Sequence, residues 1–257
     1  MSSLNGVIAL VTGGAGAIGC AIAVELARQG ASVVIADQAE KEGLSAADKV
    51  RKVGGRGEFY QVDVAQGVQV QSCVEWALSI TGSIDVLVNC AGVQVPGAVV
   101  EISEEEFDRS MKVNVGGTFL FCRNVIPIMV NKGGGSIVNI SSSVGVMPER
   151  GTAAYCASKA AIVGLSRQMA LDYARSNVRV NCLAPGWIDT PFNEPIIAAM
   201  GGSRELELLI RRTIPMGRQG TPQDVANAAV FLAGPYASLI TGAVLSVDAG
   251  ITAGIYA

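Results

Sequence analysis

Val7-Ile-Ala-Leu-Val11 runs straight into Thr12-Gly-Gly-Ala-Gly-Ala-Ile-Gly19, and this junction decides the fold. Five consecutive apolar residues without polar alternation are the pattern of a strand buried on both faces. The run breaks at the glycines. Helical periodicity then carries from Ala17 to Gln29 and stops at Gly30, a suitable C-cap. In this context a glycine-rich turn lets backbone N–H groups meet a pyrophosphate, although glycines before a helix often only permit a tight turn.

Outward from that unit, strand and helix signals alternate. Ser32 to Ala36, Gly57 to Val62, Ile84 to Asn89, Ser136 to Ile140, Val178 to Leu183 and Ala243 to Val247 read as further strands. Helices are expected near residues 41–53, 67–81, from Ser103, and near 111–130, 152–175 and 222–233. Residues 191–215 lack a strand signal and contain Gly201-Gly202, so they read as a substrate-lid insertion of two short helices. The alternation implies an α/β fold, a Rossmann-like doubly wound parallel sheet with helices on both faces. A single domain, 1–257, would hold both the dinucleotide and the catalytic groups.

Half of the 257 residues are hydrophobic and 16% are charged, which suits one large core. The net charge is −3 and the basic residues are scattered, so no nucleic-acid footprint is visible. The first Lys or Arg is Arg28, leaving no basic leader; Val7 to Val11 is too short to span a bilayer, and no longer candidate is read after it. The chain is therefore expected to be soluble and cytoplasmic, with neither nucleic acid nor membrane as partner. Six cysteines without Cys-x-x-Cys spacing read as reduced core residues. There is no histidine, which removes every His-dependent triad and the usual zinc sites. No metal is expected, and acid–base chemistry falls to Tyr, Lys, Cys, Asp or Glu.

In such a sheet ligands bind beyond the carboxyl ends of the strands. Those ends bring Thr12-Gly13, Asp37, Asp63-Val64, Asn89-Cys-Ala-Gly92, Ser141-Ser-Ser143 and Pro185-Gly186 to one edge. Asp37 closes the strand after the glycine turn, where a carboxylate accepts hydrogen bonds from an adenosine ribose. It also repels a 2′-phosphate, and neither Gly16 nor Gln38 supplies a compensating cation, so NAD is favoured over NADP. Tyr155 and Lys159 lie four residues apart in Thr152-Ala-Ala-Tyr-Cys-Ala-Ser-Lys-Ala-Ala-Ile-Val163, hence on one helix face. Lys159 has no carboxylate within helical reach, and its field would favour a phenolate nearby. This is what tyrosine needs to work as an acid or base near neutral pH. Each residue also has a plain structural alternative. Tyr155 could be a half-buried tyrosine with a satisfied hydroxyl, Ser142 a cap, Asn114 a helix kink before Gly116-Gly117, and Asp37 a strand end.

Together these residues resemble the single-domain, NAD-dependent branch of the short-chain dehydrogenase/reductase family, across essentially the whole chain. Gly13, Gly16 and Ile18 are similar to its cofactor turn, Asp37 to its NAD-selecting acid, and Asp63 and Val64 to its adenine-contacting pair. Asn89 resembles the first residue of its Asn-Asn-Ala-Gly turn. Ile188 and Thr190, after Pro185-Gly186, resemble the loop that holds the nicotinamide carboxamide. Asn114, Ser142, Tyr155 and Lys159 match its catalytic four. Two positions depart from the pattern: Ala17 stands where a middle glycine is usual, and Cys90 replaces the second asparagine, with loss of that side chain's hydrogen bonds.

The resemblance implies an oxidoreductase that moves a hydride between NAD(H) and a secondary alcohol or its ketone. Tyr155 would be the general acid/base. Lys159 would lower its pKa and bond the nicotinamide ribose, Ser142 would bond the substrate oxygen, and Asn114 would hold a relay water beside Lys159. Tyr155 and Lys159 thus also count as cofactor-binding residues. A homotetramer is implied as well, and the 152–175 helix, apolar nearly all round, agrees with it. Gln94, Val144, Met147, Trp187, Phe192, Asn193 and residues 196–210 are the candidate pocket. Gln94, Glu149 and Asn193 hint at a polyol, sugar or cyclic alcohol. The rivals are a 3-ketoacyl-carrier-protein reductase, which normally uses NADPH, a sugar-nucleotide epimerase, which needs a longer substrate domain, and a non-catalytic NAD-binding scaffold.

Overall fold

The computed structural model describes residues 4–254, so residues 1–3 and 255–257 of the expected domain lie outside the described residues. Ile8–Thr12 (β1), Ser32–Asp37 (β2), Gly57–Gln61 (β3), Val86–Asn89 (β4), Gly135–Ile140 (β5), Val178–Pro185 (β6) and Val244–Val247 (β7) form one sheet. Its order is β3-β2-β1-β4-β5-β6-β7, and every neighbouring pair is parallel. The helices are Ala17–Arg28 (α1), Glu40–Lys52 (α2), Gly67–Thr81 (α3), Glu104–Ser110 (α4), Gly117–Lys132 (α5), Ala153–Tyr173 (α6), Glu194–Ala199 (α7), Ser203–Thr213 (α8) and Pro222–Ala233 (α9).

Side chains along each strand alternate between two cores. Ala9, Val11, Val33, Ile35, Val86 and Val88 join residues of α1, α2 and α9 on one face. Leu10, Val34, Ala36, Leu87, Ile137 and Val180 join α3, α5 and the far end of α6 on the other. Burial on both faces is why the strands read as unbroken apolar runs rather than alternating ones. Strand order reverses between β1 and β4, which pair side by side with Thr12 opposite Asn89. The two turns that follow those strands therefore flank a crevice at the switch point, where doubly wound sheets hold ligands.

The stretch expected as an ordinary helix over 111–130 is different in kind. Residues Met111–Gly116 form a π-helical turn between α4 and α5. The Gly117 N–H reaches both Lys112 O and Val113 O, one bond five residues back and one four. Gly117 is small because Val64 lies there: a Cβ at 117 would come 2.8 Å from Val64 Cγ2. Together the three pieces make a helix of 29 residues, Glu104–Lys132, long and apolar enough by composition to cross a membrane. The expectation that no such segment follows Val7 to Val11 is thus corrected. One face of this helix packs into the second core, with Phe121, Cys122, Val125, Ile126 and Met129 buried there. Residues 191–213 do form two short helices, α7 and α8, after a 3-10 turn at Pro191–Asn193, and α8 buries only Leu206.

Candidate active site

A cleft of about 910 Å³ runs along the carboxyl edge of the sheet, at the large end of ligand cavities. Gly13, Gly16, Ile18, Asp37, Asp63, Val64, Ser142, Tyr155, Lys159, Ile188 and Thr190 all line it. Asn89 and Asn114 do not. Asn89 is buried behind the wall, its amide donating to Asn139 Oδ1 at 2.8 Å and to Cys122 Sγ at 3.3 Å, with its own Oδ1 unpartnered. Asn114 is fully buried behind Gly92.

At the glycine end, α1 presents an open N-terminus. Gly16 caps it without a side-chain hydrogen bond, and its first turn carries no acidic residue. The starts of α4 and α9, by contrast, are closed by complete capping boxes, Ser103 with Glu106 and Thr221 with Asp224. The backbone here must approach closely: Gly13 has φ of 64°, and a Cβ on it would lie 2.6 Å from Ala91 N. One on Gly19 would lie 2.2 Å from Gly13 O. Uncapped N–H donors at the positive end of a helix dipole fit a dinucleotide pyrophosphate.

Asp37 braces this turn while facing the cleft. Its Oδ2 accepts from Ala15 N and its Oδ1 from Ala39 N, both at 3.0 Å. Each oxygen keeps a second lone pair able to accept a further hydrogen bond. Asp63 Oδ1 accepts from Ala65 N at 2.9 Å, and Val64 is buried. The turn after β4 stays ordered despite Cys90, because Thr12 Oγ1 accepts from both Cys90 N (3.1 Å) and Ala91 N (3.2 Å). Burial pushes the Cys90 thiol up to about 12, so it is held neutral. At the opposite end, Ile188 is 3% exposed, and Asn193 Nδ2 donates to its carbonyl at 2.7 Å.

The catalytic candidates converge where α6 meets β5. Tyr155 is buried with Ser142 beside its phenol, and its ring lies 6.4 Å from that of Phe192. Ser142 accepts from Val144 N at 3.4 Å, so it caps the short turn at Ser143–Gly145. Lys159 Nζ donates to Ile140 O at 2.9 Å and stands 5.5 Å from the Tyr155 ring centre. A Cβ on Gly92 would lie 3.2 Å from Asn114 Oδ1 and 3.4 Å from Lys159 Nζ, so turn, carboxamide and amine meet at one point.

Electrostatically the pair differs from expectation. Burial pushes the Tyr155 phenol up to about 12, opposed by the Ser142 hydroxyl. Burial also lowers the Lys159 ammonium to about 8. The expected lowering of Tyr155 by Lys159 is absent because Nζ faces the ring and the Ile140 carbonyl, and desolvation favours the neutral form of both groups. Asn114 is equally committed. Its Oδ1 accepts from Val93 N at 2.7 Å, and its Nδ2 donates to Val93 O and Ser158 Oγ, each at 2.9 Å.

Ser158 and Thr12 belong to this framework, Thr12 in a role beyond the strand end that its sequence position marks. Ser158 carries no mark in the sequence beyond being a small polar residue three positions after Tyr155 in an apolar stretch. Thr12 carried only its place at a strand end.

Residues 13–252 match the family model described as enoyl-(acyl carrier protein) reductase. A 2,5-dichloro-2,5-cyclohexadiene-1,4-diol dehydrogenase of Sphingobium indicum is 37% identical over 254 residues, 98% of either chain. A 3-oxoacyl-(acyl-carrier-protein) reductase of Chlamydia muridarum is 41% identical over 244 residues, 95% of this chain and 96% of that one. Among solved structures, a levodione reductase superposes with a TM-score of 0.95 at 29% identity, covering 98% of this chain and 99% of that one.

Proposed function

The chain belongs to the short-chain dehydrogenase/reductase family, and from that premise we propose that it is an NAD-dependent dehydrogenase of secondary alcohols with Tyr155 as its acid/base. The class of reaction is that of its relatives: hydride transfer between a nicotinamide cofactor and a CH–OH group or its ketone. When bound, the dinucleotide supplies the hydride acceptor or donor. The chain's own residues do the rest. Gly13, Gly16, Ile18 and the open α1 terminus would hold the pyrophosphate, Asp37 the adenosine ribose, Asp63 and Val64 the adenine, and Ile188 and Thr190 the carboxamide. Asn89 supports the wall of that groove from behind.

At the reacting oxygen, Tyr155 gives its phenolic proton during reduction and takes one during oxidation. The Ser142 hydroxyl stands beside the phenol, so one substrate oxygen placed there would meet both. Lys159 stands beside them to offset phenolate charge as it develops and to meet the nicotinamide ribose. A proton relay through Asn114 falls to its backbone carbonyl, which accepts from Thr118 Oγ1 and keeps a second lone pair, because its carboxamide is committed.

The observation that carries this reading is the convergence of Ser142, Tyr155 and Lys159 on a cleft whose far end fits a pyrophosphate. The NAD preference rests on Asp37. A screen of secondary alcohols with both cofactors tests it. NAD+ is expected to be favoured in kcat/KM by at least about tenfold, roughly 1.4 kcal/mol; a strong NADP+ preference defeats the assignment. The Chlamydia relative favours a second reading, reduction of a 3-ketoacyl thioester, which would show as fast NADPH-driven turnover of an acetoacetyl thioester. Asp37 weighs against it.

We place the protein as soluble and cytoplasmic, with residues 191–215 as the lid. A homotetramer is supported by apolar side chains left exposed, Phe119 on α5, Leu171 on α6, Phe231 on α9 and Leu239. A monomer in analytical ultracentrifugation would contradict it.

A further inference from the structure

Three polar side chains stand around the substrate end of the cleft outside the catalytic cluster: Gln94, Glu149 and Asn193. Asn193 is committed to the Ile188 carbonyl. Glu149 lies where the cleft opens into a second cavity of about 280 Å³, and burial raises its carboxyl pKa. Gln94 is different. Its Oε1 is sealed from solvent without a hydrogen-bond partner, and no other bond holds its carboxamide among the described residues.

The backbone is held on either side of it. On one side Val93 is clamped through both its N–H and its carbonyl by the Asn114 carboxamide. On the other, Gly97 N donates to Gly151 O at 2.7 Å and Ala153 N donates to Gly97 O at 3.1 Å. Ala153 opens α6, the helix bearing Tyr155, and Gly151 lies in the turn before it. Gln94 is thus fixed relative to the proton-transfer group, and only its side-chain torsions can turn it, the last of them being soft.

We infer that Gln94 is the residue that reads a second hydroxyl of the substrate, and that this enzyme acts on diols or other polyhydroxylated secondary alcohols in preference to mono-ols. The inference rests on the dehydrogenase reading above. A hydroxyl both donates and accepts, so once the side-chain torsions turn the carboxamide toward the cleft it pairs with either Oε1 or Nε2. A buried acceptor left unpaired is a standing destabilisation. When the substrate relieves it, that relief becomes part of the preference for hydroxylated substrates.

Matched pairs test this: cyclohexanol with 1,2-cyclohexanediol, and 2-butanol with 2,3-butanediol, assayed with NAD+ for the wild type and Gln94→Leu, with Tm recorded for both proteins. The wild type is expected to favour the diols about 10- to 100-fold in kcat/KM. In Gln94→Leu that ratio collapses toward unity while Tm holds or rises, because an unpaired buried acceptor has been removed. A merely structural glutamine would instead lower Tm and leave the ratio in place. Equal kcat/KM within each wild-type pair, or a diol preference that survives in Gln94→Leu, overturns the inference and leaves the dehydrogenase reading standing. No turnover of any of the four alcohols, with no reduction of the matching ketones by NADH, counts against the dehydrogenase reading itself, and the inference falls with it.

Discussion

Burial acts on Tyr155 and Lys159 in opposite directions, raising the phenol and lowering the amine, so that each moves toward its neutral form. The consequence reaches stability. An unfolded lysine titrates near ~10.4, whereas Lys159 in the fold titrates at about 8. Between those values the unfolded chain holds a proton that the folded one has released, so this amine makes stability rise with pH across the window. The buried thiols of Cys20, Cys73, Cys90, Cys122 and Cys182, all raised, act in the opposite sense as pH climbs through their unfolded values. The signature of Lys159 is therefore a difference between two proteins. Urea unfolding of wild type and Lys159→Met from pH 7 to 10.5 should give a difference that favours the wild type increasingly above pH 8, by at most about 3 kcal/mol. A difference that stays level with pH would mean that the amine is not desolvated.

The π-turn at Met111–Gly116 shows what an element can hide from sequence. Apolar runs and glycine stops placed the strands and most helices to within a residue or two, because a sheet buried on both faces leaves no alternation to misread. The same periodicity carries no mark for one extra residue in a helical turn. Here Gly116-Gly117 was the hint, since Gly117 must pass close to Val64. The turn matters because it carries Asn114, which clamps Val93 and so shapes the cleft wall. Asn114→Ala leaves a part-buried N–H and a part-buried carbonyl of Val93 without their carboxamide partner and opens a cavity at a fully buried position. Denaturant titration is expected to show a loss of at least about 2 kcal/mol, and kcat/KM should fall with it through the displaced wall. Unchanged stability would show that the 90–98 segment is held by other means.

Across the whole molecule, the groups that converge on the cleft come from strand ends scattered from Gly13 to Thr190, and the rule that ligands sit beyond those ends made them legible as one site. Their roles were less legible than their positions. Whether a buried amine finds a phenol or a carbonyl, and whether an asparagine faces a cleft or its supporting wall, depends on side-chain directions a few ångströms apart. Neither periodicity nor spacing specifies those. Catalysis by this chain would turn on Tyr155 as the proton-transfer group of a nicotinamide cleft. The most direct test is turnover by Tyr155→Phe, set against NADH binding followed by fluorescence. Turnover is expected to drop by at least about 10²-fold with NADH affinity near that of the wild type. Substantial residual turnover in a variant that binds NADH normally would contradict the central claim.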